Sequence, residues 1–132
     1  MQQIQIDYVT VLIAAALNMV VGCLWYSKWL FGSLWMKLSN VKESDIKNPG
    51  LAMFWGFLLS LLIAYFLAFF ESYLNITTVT DGMFVGFTLW LGFVMTTQIN
   101  AVIWGKMPLK LFCIHTTEKL LSYLIMGGII GA

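Results

Sequence analysis

The sequence predicts an all-α fold: an integral membrane four-helix bundle with an interfacial amphipathic segment after the first span. Three observations carry that expectation. Apolar residues fill 61% of the 132 positions and charged residues only 10%, where a soluble domain carries about 25% charge. Four runs reach the roughly 20 apolar residues that a membrane helix requires. The basic residues gather in the connections between those runs rather than being spread along the chain. Mean hydropathy is +0.88. So short a chain leaves much of its surface exposed, and lipid is the natural solvent for such a surface.

The runs divide one transmembrane domain, residues 1–132, into spans at about 8–26, 51–70, 83–104 and 109–132. The first does not read as a cleaved leader, because no Lys or Arg precedes it and Trp25-Tyr26 stand where small residues are needed. Lys28, Lys37, Lys42 and Lys47 lie between the first two spans, and Lys106 and Lys110 at the third-to-fourth connection. The N-terminal tail, the second-to-third loop and the C-terminus have no basic residue, and the tail and loop hold Asp7, Glu71 and Asp81. By the positive-inside rule both Lys-bearing loops face the cytoplasm and both termini lie outside. Between the first two spans, Ser27–Leu38 alternates lysine with a Trp/Leu/Phe surface, as an interfacial helix does. Ser39–Gly50 is polar, ends in Pro-Gly and reads as a solvated loop.

Charge and cysteine usage exclude several function classes. The net charge is +1, too small to draw a nucleic acid. No arginine supplies the planar fork usual in phosphate recognition. Cys23 and Cys113 sit inside apolar runs and are expected to be small buried hydrophobes rather than a disulfide or metal ligands. One histidine cannot furnish a two-histidine haem or a His-rich zinc site, and no glycine-rich phosphate loop is present. Neither a cofactor nor a metal is expected.

Small residues set the expected packing, because close approach rather than hydrophobicity drives helix association in lipid. The second span carries Ala52, Gly56, Ser60, Ala64 and Ala68 at intervals of four. Thr10, Ala14, Asn18 and Gly22 make the matching ribbon on the first span, and Thr88, Gly92, Thr96 and Asn100 that on the third.

The fourth span departs from this pattern. His115, Glu118, Lys119 and Ser122 interrupt its apolar run and, at about 100° per residue, share one face. Glu118 lies about 14 Å along the axis from Leu109, close to the middle of a hydrocarbon core about 30 Å thick. An ionisable group at that depth must face the bundle and be paired, neutralised or wet. Asn18, Thr96, Gln98 and Asn100 fall at similar levels, so a polar pocket in the cytoplasmic half is expected, rimmed by Trp25, Tyr26 and the Lys28–Trp35 segment.

The pattern Asn18-x3-Gly22-x2-Trp25-Tyr26-Ser27-x3-Phe31-Gly32-x2-Trp35 resembles the opening signature of the domain-of-unknown-function family 1761, a family of small bacterial membrane proteins. Trp104-Gly105-Lys106-Met107-Pro108-Leu109-Lys110-Leu111-Phe112 resembles its second signature. The resemblance implies a four-span protein of the bacterial cytoplasmic membrane and implies no activity.

Two readings follow. One is a non-catalytic packing or binding protein, either a partner subunit or a binder of lipid or a small molecule. The other is a proton- or ion-coupled carrier working through Glu118 and His115, similar in length to the small multidrug exporters but with its acid in the fourth span instead of the first. Membrane lipid is the expected surrounding partner, and four short spans favour a homo-oligomer or a membrane partner subunit.

Overall fold

The first long helix, α1 (Tyr8–Trp25), begins where the sequence offers a cap. Asp7 is extended, and its carboxylate accepts from the backbone N–H of Val9 and Thr10 and from the Thr10 hydroxyl, meeting the unpaired donors of a helix start. The computed structural model describes residues 4–27, 29–39 and 48–132. Within them α2 (Gly32–Ser39) follows a tight turn. Next come α3 (Pro49–Tyr73), capped by the Asn48 side chain, and α4 (Val79–Ile103), capped by Thr78. The last helix is α5 (Leu109–Gly131). By length and composition α1, α3 and α4 can each cross a membrane. α5 has 23 residues and packs against all three. Large apolar side chains such as Trp55, Leu59, Phe84 and Phe93 point outward from the bundle, a surface suited to lipid rather than water.

The hydrogen bond from the Thr10 hydroxyl, then that from its N–H, holds the Asp7 carboxyl below its ordinary value of 3.8, against a smaller opposing effect of desolvation. A carboxylate lowered on folding contributes stability above its unfolded value and loses it as pH falls through the folded one. The first turn of α1 should therefore fray below about pH 4 while the rest of the helix persists. Amide exchange of Val9 and Thr10 that accelerates selectively at acid pH is the expected result.

The small-residue ribbons of α1 and α3 meet. Ala14, Ala15, Ala64, Leu67 and Met126 form a core with at most 2% exposure. Asn18 Nδ2 donates to Ser60 Oγ at 2.6 Å, and that hydroxyl donates back to the Gly56 carbonyl at 2.9 Å. The α4 ribbon is a correction: Thr88, Gly92, Thr96 and Asn100 all lie on the exposed side. The face of α4 that enters the bundle carries Gly82, Val85, Gly86 and Trp90. Past it the backbone widens to a π-helical stretch, Trp90–Met95, which shifts the faces of the following residues.

Gly82 and Gly86 meet Gly127 and Gly131 of α5, glycines spaced by four on each side. A Cβ at Gly82 would strike the Gly127 carbonyl and one at Gly86 the Tyr123 carbonyl, so the two backbones touch as small-residue membrane seams allow. Two further expectations change. Cys23 and Cys113 are exposed on the apolar exterior instead of buried. Glu71, assigned to a loop by its charge, lies in the last turns of α3 with 2% exposure. The predicted Ser27–Leu38 segment becomes a turn plus α2, while Lys28 and most of the Ser39–Gly50 loop lie outside the described residues.

Candidate functional site

The polar stripe of α5 turns inward as its burial cost demands. Glu118 is 2% and Ser122 1% exposed, and the Ser122 hydroxyl donates to Glu118 Oε1 at 3.1 Å. Lys119 Nζ, on a partly exposed side chain, reaches within 3.2 Å of Oε2 without making a hydrogen bond. Neighbouring helix positions do not normally face each other; the long lysine stem allows this approach. Across from the carboxylate stands Gly22 of α1, whose missing side chain leaves room: a Cβ there would sit 3.8 Å from Oε1.

Towards the end where α1 joins α2, the aromatic signature fastens α1 to α5. Trp25 Nε1 donates to the Ile114 carbonyl at 3.0 Å, and the Tyr26 hydroxyl lies 2.5 Å from His115 Nδ1. On the other flank Trp90 Nε1 of α4 donates to the Thr116 carbonyl at 2.9 Å. Two indoles from two helices thus grip the α5 backbone at carbonyls two residues apart, which point to different sides of the helix. The turn itself is built by the rest of the motif. Phe31 N–H donates to the Trp25 carbonyl at 3.0 Å and Gly32 N–H to the Ser27 carbonyl at 2.9 Å. Phe31 packs on Trp25 with ring centres 4.5 Å apart, and Trp35 packs on Tyr26 at 5.4 Å.

The expected residues therefore separate into groups. His115, Glu118, Lys119 and Ser122 gather with Tyr26 and Gly22 around one stretch of α5. Asn18 is buried but bonds to α3 through Ser60, leaving its Oδ1 without a partner among the described residues. Gln98 is half-buried, with its Oε1 likewise unpaired. Thr96 and Asn100 are exposed, and the Thr96 hydroxyl turns back to the Gly92 carbonyl at 2.8 Å, so the pocket drawn through them does not form. Trp104 is 84% exposed and Lys110 is also exposed; neither joins the cluster.

Sequence reasoning missed Thr116, whose buried hydroxyl lacks a partner among the described residues, and Glu71, whose two carboxylate oxygens lack one there as well. The four glycines of the α4–α5 seam were the available signal for Glu71, since they mark where backbones approach and a side chain can be enclosed. Among the described residues no group of three or more His, Cys, Asp or Glu side chains can hold a metal ion.

What this arrangement does chemically is limited. Glu118 is approached by Ser122 and Lys119, and His115 by Tyr26, so among the described residues of this cluster no hydroxyl, imidazole and carboxylate are hydrogen-bonded in series as a nucleophilic relay. No curated protein matches the chain, and no solved structure does. Residues 9–131 match the model of a family described as Protein of unknown function (DUF1761), and the chain belongs to that family.

Proposed function

We propose that the protein is a non-catalytic membrane packing and binding protein in which the Glu118 cluster locks α5 against α1 rather than carrying protons. The observation that supports this most is an apolar layer between the cluster and the end of the bundle where the chain begins. On α1, Ala14 and Ala15 precede Asn18; on α3, Ala64 and Leu67 follow Ser60; on α5, Met126 follows Ser122. All five are nearly inaccessible. From Glu118 to Gly127, where the buried Glu71 begins, the helix rises about 14 Å, and past Ser122 the buried side chains of that interval are apolar. Beyond the Ser122 hydroxyl, the buried side chains described between the cluster and Gly127 offer no polar relay to a proton leaving Glu118 towards that end.

In this reading the lysine-bearing loops lie on the cytoplasmic side of a bacterial inner membrane and four helices cross it. A lateral apolar cleft of about 390 Å³ between α3 and α4, lined by Leu62, Phe66, Phe70, Leu89 and Phe93 among others, offers room for an acyl chain from membrane lipid or for a membrane partner subunit.

Purified protein reconstituted in liposomes that enclose a pH-sensitive dye tests the proposal. The expected outcome is proton flux equal to that of empty liposomes, with or without a solute gradient. Flux above that level that Glu118→Gln abolishes would replace this reading with the coupled carrier.

A further inference from the structure

Glu71 sits at the opposite end of the bundle from Lys37, Lys106 and Lys110, in a place built to enclose it. A Cβ at Gly82 would lie 2.6 Å from its Oε1 and one at Gly131 2.9 Å; only glycine at both positions lets the carboxylate enter between α4 and α5. Once inside, neither oxygen finds a hydrogen-bond donor among the described residues. The carboxylate lines a cavity of about 330 Å³. The described N-terminal segment closes over one side of it, tied down by the Gln5 N–H, which donates to Ser72 Oγ at 3.1 Å.

The lining chemistry has one sign. Asp7 adds a second carboxylate, Gln5 and Asn75 add amides, and Thr10 and Ser72 add hydroxyls, with no lysine, arginine or histidine among the described lining residues. The apolar side chains of Ile6, Ala68 and Ile130 complete it. The Asp7 carboxylate already accepts from the first turn of α1, so Glu71 is the acceptor that is uncommitted. A buried, unpaired carboxylate is costly unless a cation or a proton meets it. The cavity beside the carboxylate has room for more than a proton.

We infer that this cavity is a binding site for a small organic ammonium ion, with Glu71 as its counter-ion and Asp7 as a second, more distant negative charge. An inorganic cation is less well matched: the described residues offer no cluster of three metal-ligating side chains, and the volume falls within the range of small-molecule sites. The apolar patches suit an alkyl group, and the amides and hydroxyls suit the remaining N–H donors. The site is independent of the locking role of Glu118, and neither result in the flux experiment bears on it.

The test uses the full chain in detergent micelles, titrated with ethylammonium chloride against sodium chloride at matched ionic strength. Thermal unfolding and the carboxylate infrared bands of isotope-labelled glutamate are the readouts. Binding to the folded state raises the unfolding temperature in a saturable way. The expected result is a saturable rise with ethylammonium alone, accompanied by a carboxylate band shift, with affinity at least tenfold weaker in Glu71→Gln. Should Glu71→Gln fail to fold, Asp7→Asn serves instead: asparagine keeps the helix cap, and affinity should fall severalfold. An equal rise with sodium, no saturable rise with either salt, or an affinity unchanged in both variants would overturn the assignment.

Discussion

Gly86→Ala is expected to open the α4–α5 seam, whereas Gly92→Ala, on the same helix, should leave it closed. The added methyl at Gly86 would occupy the space of the Tyr123 carbonyl, with the Tyr123 carbonyl carbon 2.9 Å away. A backbone cannot rotate aside as a side chain does, so the helices must separate. Overpacking of this kind costs about 1–3 kcal/mol, and here the upper part of that range is expected, because separation also breaks the contact between Gly82 and Gly127. At Gly92 nothing lies within 4 Å of the new methyl, and the intrinsic helix preference of Ala over Gly favours the substitution by up to about 1 kcal/mol. Reversible unfolding in mild detergent should show the first variant destabilised and the second neutral or slightly stabilised. Equal effects would mean that α4 turns a different face to α5.

Gly32→Ala should be the most damaging substitution in the turn between α1 and α2. Its Cβ would lie 2.7 Å from the Ser27 carbonyl oxygen and also against the Tyr26 carbonyl, both fixed by the turn that Phe31 and Gly32 close. The same order of cost, about 1–3 kcal/mol, would be spent in displacing α2, and with it Trp35 from its place on Tyr26. Near-ultraviolet circular dichroism should lose aromatic signal while helical content is retained, and protease should cut the α2 region faster than in the wild type. A variant with the wild-type aromatic spectrum would show that the turn does not position Trp35.

The helices were legible in the sequence because lipid imposes length and apolarity on each of them, and the structure ends α1 and α5 within a residue of expectation. The ribbons of α1 and α3 were legible for a related reason: alanine and serine at intervals of four, as in Ser60 and Ala64, have few uses in a membrane helix except close packing. The same rule misled at α4. Thr88, Gly92, Thr96 and Asn100 satisfy the spacing as well as Gly82 and Gly86 do, and sequence spacing alone does not say which face a partner covers. The π-helical stretch compounds the error by changing the register after Trp90, and no single residue type announces it.

The polar stripe of α5 was legible because Glu118 has no inexpensive place in a membrane helix except the interior. Its partners were not. Pairing by depth led to Asn100, but depth leaves the angle around the axis open, and Asn18 at a comparable level turned to Ser60 of α3. Glu71 was misplaced for the opposite reason. Near the end of a span, charge reads as a loop residue, and only the three-dimensional approach of Gly82 and Gly131 reveals an enclosed carboxylate.

Whether the Glu118 cluster is sealed is read from Ser122→Cys in a background with Cys23→Ala and Cys113→Ala. Ser122 is 1% exposed, beside Glu118 and next to the apolar layer of Met126 and Ala14. Reconstituted protein would be treated with a membrane-impermeant thiol reagent from each side in turn. No labelling is expected from the side of the chain's first described residues. Rapid labelling of Ser122→Cys from that side would place a water path through the apolar layer and contradict the packing role assigned to the cluster.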